Sequence, residues 1–181
     1  MKRTQHKKPN AGVRGNGFFG FAETMPYAPM GVLFGQSNEF SCVPACTRML
    51  IVDHWPEAQN EPNFSEAYLR TQFRTAKEGS AISRIPAVLQ TSGVGTPYLY
   101  RSDLSLEDLE HSLRLGNVIA VLRDARNIHV VIVEQMVGGF VAIRDSLPPG
   151  AGSAYWVALE LFLAAWLKNS RGTAIVVDLN L

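Results

Sequence analysis

Gln36-Ser-Asn-Glu-Phe-Ser-Cys42-Val-Pro-Ala-Cys46-Thr-Arg-Met49-Leu-Ile-Val-Asp53 is the stretch on which the fold turns. From Cys42 onward, Ala45, Met49, Leu50 and Val52 recur at spacings that suit a buried helix. Pro44 falls in the first turn, where a missing N–H costs little. Cys42 therefore stands at the helix start, where the positive end of the helix dipole favours a thiolate.

Upstream, residues 1–30 are rich in Gly, Pro, Lys and Phe and have neither a helical nor a strand period. They read as an arm before the domain proper, residues 31–181. Phe18, Phe19, Phe21 and Tyr27 give the arm an aromatic character that could pack on the body, near the site or on a partner. Downstream, Glu57–Asn63 reads as a loop. Ser65–Ala76 reads as a helix with Ser65 as N-cap, and Ile85–Thr91 as a short third helix. Tyr98–Arg101 reads as a strand. Leu106–Leu115 is amphipathic, capped by Ser105, with Glu107 and Asp108 in its first turn.

Three strand-like runs follow, Val118–Arg123, His129–Met136 and Phe140–Asp145. Val137, Gly138 and Gly139 join the last two as a hairpin. A Gly/Pro loop from Leu147 to Ser153 leads into an expected helix, Val157–Lys168, and Thr173–Asp178 closes as a strand. Helices in the first half and antiparallel strands in the second predict an α+β fold rather than alternating βα units.

A chain of 181 residues is enough for one domain, and 46% hydrophobic with 18% charged residues argues against disorder. The net charge of +1 gives no electrostatic reason to expect nucleic acid as a partner. With two cysteines in all, a disulfide framework and a four-cysteine zinc site are excluded. A Cys42–Cys46 disulfide would be poorly held along a helix. No apolar run follows the basic start, so no secretory signal is expected there. The longest apolar stretch is interrupted by Glu160 and is too short to span a bilayer. A cytoplasmic protein, or one exported without an N-terminal signal peptide, is the expectation.

A thiolate nucleophile needs an imidazole partner, and the imidazole needs an orienting group. His6 lies in the arm, His54 in a polar stretch, and His111 on the outer side of an amphipathic helix. His129 opens an apolar strand and is the best placed. In-register pairing across the hairpin brings Asp145 close to it. Gln36, six residues before Cys42, could supply an amide N–H to an oxyanion. Taken singly, each has a plainer reading. A buried Cys is usually a small hydrophobe, a His at a strand start a surface residue, and an Asp before a Pro-containing loop a turn residue. The weight lies in the joint spacing of 6, 87 and 16 residues.

Gln36-Ser-Asn-Glu-Phe-Ser-Cys42-Val-Pro-Ala-Cys46-Thr-Arg-Met49 resembles the active-site segment of the bacteriocin-processing, double-glycine peptidases, a papain-like family. His129-Val-Val-Ile-Val with Gly139-Phe-Val-Ala-Ile-Arg-Asp145 resembles that family's His–strand–turn–strand–Asp segment. The runs from Asp103 and Gly116 are similar to the preceding helix and strand, and Phe162 and Trp166 to the closing helix. The resemblance covers about Gln36 to Val177. It implies a papain-like fold, helices packed on an antiparallel sheet, with Cys42 as nucleophile and His129 as general base and acid. Asp145 would orient His129, and Gln36 would hold the oxyanion together with the Cys42 backbone N–H.

No metal or cofactor is implied. A peptide or protein is the implied substrate, with an immunity protein or a transporter as possible partner. The chain departs from the family at Val43, where a Gly is usual and a branched side chain would narrow access to the thiolate. It departs also at Ser41, where an acid is usual, and at Ser146, where Pro usually follows the Asp. The implied activity is cysteine-peptidase chemistry. The alternatives are a papain-fold toxin or effector, acting as protease or deamidase, and a non-catalytic peptide-binding module.

Overall fold

The computed structural model describes residues 21, 23–124 and 127–178. Much of the basic lead-in, including His6, Phe18 and Phe19, lies outside the described residues. Helix α1, Cys42–His54, runs through the core with Met49, Leu50 and Ile51 fully buried. Each such side chain removed from water contributes roughly 1.5–3 kcal/mol. Around α1 lie α2 (Glu66–Phe73) and α3 (Ile85–Thr91). Ser65 caps α2 by accepting the Tyr68 N–H, and Arg74 stops it three residues short of the expected end by turning left-handed. The segment expected as a loop winds instead into short 3-10 turns, Pro56–Asn60 and Pro62–Phe64, each begun by a proline. Helix α4, Leu106–Leu113, opens with a reciprocal capping box between Ser105 and Asp108.

All strand pairings of the sheet are antiparallel, in the order β1-β6-β5-β4-β3-β7-β2. The strands are β1 (Thr24–Pro26), β2 (Tyr98–Arg101), β3 (Val118–Arg123), β4 (Ile128–Val137), β5 (Phe140–Asp145), β6 (Ser153–Ala158) and β7 (Ala174–Val177). The fold is α+β, with one apolar cluster between sheet and helices α1–α3 and a second on the opposite face under α4 and α5 (Leu159–Leu163). Alternation along β4 decides which residue enters which cluster. Val130 and Ile132 join the first, and Val131 and Val133 the second.

Two strands depart from the sequence reading. Val157 and Ala158 end β6 rather than begin a helix, because Tyr155 and Val157 alternate inward against β5. The helix that follows is α5, which runs into a π-helical turn, Ala164–Lys168, that carries the buried Trp166. Part of the arm is also a strand. Thr24–Pro26 pairs with Tyr155–Val157 at the sheet edge. The hairpin β4–β5 turns at Gly138 and Gly139, both at positive φ. Its register slips by one residue at Glu134. Val133 pairs with Ile143 but Gln135 with Ala142, so Glu134 bulges out of the ladder.

The bulged Glu134 and its neighbour Arg144 build a buried ionic cluster. Arg144 Nε lies 2.7 Å from Glu134 Oε1. Its two terminal nitrogens clasp the carboxylate of Asp53, near the end of α1, and Asn117 Nδ2 donates to Asp53 Oδ2 at 2.9 Å. The end of the arm and the first residues of the domain proper are threaded through this cluster. Met30 and Gly31 donate their N–H groups to Glu134, and Arg144 Nη1 donates to the Val32 carbonyl at 2.6 Å. A Cβ on Gly31 would come 2.2 Å from Asp53 Oδ1. Aromatic contacts continue the anchoring, Tyr27 on Trp156 and Phe21 on Tyr155. No helix among the described residues is long and apolar enough to cross a membrane.

Candidate active site

The start of α1, the start of β4 and the end of β5 meet at one place. Ser41 precedes the helix and supplies the first helical acceptor, taking the Ala45 N–H at 3.0 Å. Cys42 is the first helical residue, partly buried and not disulfide-bonded. Cys46 lies one turn on, fully buried, its thiol against the Val130 carbonyl at 3.4 Å. Burial, followed by the nearby Cys42 and Asp145, pushes the Cys46 thiol well above its ordinary range. The two cysteines thus differ in access, Cys42 partly buried and Cys46 fully so.

His129 is 7% exposed. Its Nε2 lies 2.6 Å from Asp145 Oδ1, and its ring also hydrogen-bonds the Cys42 side chain. With Nε2 engaged by the carboxylate, Nδ1 is the nitrogen left for the thiol. Burial alone would lower the imidazole's pKa. The Asp145 charge and hydrogen bond, with Cys42 behind them, outweigh it and raise the value to about 10. The ring is therefore held as an imidazolium near neutral pH.

Asp145 is fully buried and accepts three donors. Oδ1 takes the imidazole and the Leu147 N–H at 2.9 Å, and Oδ2 takes the Tyr155 hydroxyl at 3.0 Å. The bulge at Glu134 makes this meeting possible. It carries the β5 register on by one, so that Arg144 sits opposite Ile132 and Asp145, the next residue, turns to the face that Val131 and His129 share. Opposed residues share a face, and so do residues two apart on a strand. Asp145, Val131 and His129 therefore lie on the same side. A straight in-register hairpin, as the sequence reading assumes, would turn Asp145 to the other side.

Gln36 is also fully buried. Its Oε1 accepts the Ser146 hydroxyl at 2.7 Å, and its Nε2 donates to the Asn38 carbonyl at 2.5 Å. The same Asn38 carbonyl accepts the N–H of Ser41, so the Gln36 amide is tied to the residue before Cys42. Asn38 Oδ1 in turn accepts the Ser41 hydroxyl at 2.7 Å. At the position where the family it resembles usually has an acid, Ser41 serves as one side of this small polar turn. Val43 is 3% exposed and sits in the apolar cluster against which Cys42 also packs, so its branches face the core rather than narrowing an open approach.

The other described histidines are elsewhere. His54 ends α1, about 18 Å along the helix from Cys42, and its Nε2 is 2.8 Å from the Tyr98 hydroxyl. His111 is exposed beside Arg114. Sequence reasoning missed Tyr155 and Ser146 as partners of the candidate residues. Tyr155 was hidden by misreading its strand, and nothing in the neighbourhood of Ser146 marks it out.

No protein-family model matches the sequence, and no curated protein does. Solved structures do match. One is the peptidase domain of Streptococcus ComA, a bifunctional ABC transporter involved in a quorum-sensing pathway. It is 23% identical with a TM-score of 0.59, and the match covers 80% of this chain and 96% of that one. This chain has the fold of the double-glycine peptidase domains. A second match, a double-glycine-motif protease from an AMS/PCAT transporter solved with its leader peptide, is 15% identical with the same TM-score. It covers 81% of this chain and 89% of that one.

Proposed function

We propose that this double-glycine-peptidase fold carries a working cysteine peptidase, with Cys42 as nucleophile, His129 as its proton partner, Asp145 orienting His129, and Gln36 as oxyanion donor. One observation carries the reading: a buried imidazole held between a thiol at a helix start and a buried carboxylate. A structural histidine needs one hydrogen-bond partner. This one has a thiol on its other side, in the arrangement that nucleophilic catalysis requires.

The chemistry follows from these positions. The Cys42 thiolate attacks the carbonyl carbon of the scissile amide. The carbonyl electrons move onto oxygen, and the oxyanion is met by the Gln36 side-chain N–H and the Cys42 backbone N–H. The tetrahedral adduct collapses, the C–N bond breaks, and the His129 imidazolium gives its proton to the departing amine. Water then attacks the thioester, His129 takes the water's proton, and Cys42 is released as the thiolate. Asp145 keeps one tautomer in place throughout and stabilises the imidazolium.

A peptide or protein substrate is supported by the leader-peptide complex of the AMS/PCAT neighbour. The test is labelling with a peptide-derived thiol electrophile, read by mass spectrometry. Cys42 is expected to react at least about 100-fold faster than Cys46, with the difference lost in His129→Ala. Slow, equal labelling of both cysteines would overturn the peptidase reading.

A further inference from the structure

The Gln36 side chain is a primary amide, and an amide is useful to an oxyanion in only one of its two orientations. Turned one way it presents N–H, turned the other it presents a repelling carbonyl oxygen. In this protein both ends of the amide are occupied. Ser146 Oγ donates to Oε1 at 2.7 Å and Nε2 donates to the Asn38 carbonyl at 2.5 Å. A carbonyl can only accept, so Nε2 must face Asn38. Asn38 takes one of its two N–H bonds and the other remains. Ser146 and Gln36 are both fully buried, so the bond between them does not compete with bulk water.

The backbone is clamped by the same loop. Gln36 N–H donates to the Ser146 carbonyl at 2.8 Å, and Gly150 N–H donates to the Gln36 carbonyl at 2.9 Å. The loop lies so close that a Cβ on Gly35 would meet Ala151 N at 2.3 Å. Ser146 also follows Asp145 directly, so one loop fixes both the carboxylate and the amide.

We propose that Ser146 is a positioning residue whose hydroxyl, with the Asn38 carbonyl at the other end, holds the Gln36 amide in the orientation that presents N–H to the oxyanion. This role rests on the cysteine-peptidase reading above. Without the hydroxyl, Oε1 is a buried acceptor lacking its donor, and the amide is held at its Nε2 end alone, spending less time in the productive orientation. The loss is specific to steps that build an oxyanion. Alkylation of a thiolate displaces a halide at a saturated carbon and builds none.

The test compares acylation by p-nitrophenyl acetate with alkylation by iodoacetamide in wild type, Ser146→Ala, Ser146→Cys, Gln36→Ala and the Gln36→Ala/Ser146→Ala double variant. Cys42→Ala defines the background. Ser146→Ala is expected to slow acylation about 10-fold, less than the roughly 100- to 1,000-fold of deleting an oxyanion donor outright. Its alkylation rate and pH profile should stay within about 2-fold, and Ser146→Cys, a weak donor of similar size, should recover part of the loss. In the Gln36→Ala background, Ser146→Ala should cost nothing more. Equal slowing of acylation and alkylation, or losses that multiply in the double variant, would overturn the proposal while acylation still depends on Cys42. Acylation that survives Cys42→Ala would overturn the cysteine-peptidase reading and this role with it.

Discussion

Replacing Asp145 with asparagine removes a charge and leaves the shape almost unchanged, and its effect on His129 follows from the geometry. Nε2 and Oδ1 are 2.6 Å apart, which puts the centres of charge about 4 Å apart. At an effective dielectric of about 20 their attraction is about 4 kcal/mol, or about 3 pH units of imidazole titration. The wild-type imidazole titrates at about 10. In Asp145→Asn it should fall by about 3 units, into the ordinary histidine range, because the burial that lowers it remains.

The sign for stability follows. A pKa raised on folding stabilises the native state fully below about pH 6.5, the ordinary histidine value. That stabilisation is lost as the pH rises through about 10. Asp145→Asn should therefore flatten the loss of stability between pH 7 and 10. It should also cost about 1–3 kcal/mol throughout. Three donors converge on the carboxylate, and an amide has one accepting oxygen where the carboxylate has two. The assay is an NMR titration of protein labelled with 15N-histidine, the His129 signal being assigned by its disappearance in His129→Gln. A His129 midpoint in Asp145→Asn within half a unit of wild type would refute the electrostatic argument.

Gly31→Ala forces a Cβ to within 2.2 Å of Asp53 Oδ1 and 2.5 Å of Arg144 Nη1, and should destabilise the fold by about 3 kcal/mol in urea titration; an unchanged midpoint would refute the tight threading of the segment that follows the arm. Asp53→Ala leaves the buried Arg144 with one carboxylate instead of two and should cost about 3–5 kcal/mol in the same assay. Tyr155→Phe keeps the ring against Phe21 but removes the donor to Asp145 Oδ2; a loss of about 1 kcal/mol is expected from thermal unfolding.

Local signals carried most of the reading. The helix at Cys42 was legible because apolar spacing, an early proline and a cysteine agree at one place. The β4–β5 hairpin was legible because two glycines separate two β-branched runs. The strand β6 was not. Its inward residues Tyr155 and Val157 run straight into the apolar start of α5, so one continuous stretch served two periods. Strand β1 is three residues long and exists only because β6 is there to pair with it. Arg144, Glu134 and Asp53 look like ordinary surface charges in the sequence. Their burial depends on partners up to 112 residues apart, Val32 and Arg144, which no local pattern encodes. The candidate residues Gln36, Cys42, His129 and Asp145 were found from spacing and resemblance, and the bonds that orient Gln36 and Asp145 were not.

The bulge at Glu134 turns into a rule of parity. In a hairpin with a two-residue turn, each residue faces one whose number makes a constant odd sum with its own, here 137 with 140. Two residues on the two different strands and on the same side of such a ladder must therefore be an odd distance apart in the chain. His129 and Asp145 are separated by 16, an even interval that an unbroken ladder would send to opposite sides. Counting alone therefore says that one residue has been inserted between them. Deleting a single residue from this hairpin, even one far from either side chain, would part the imidazole from its carboxylate more surely than many substitutions nearer by.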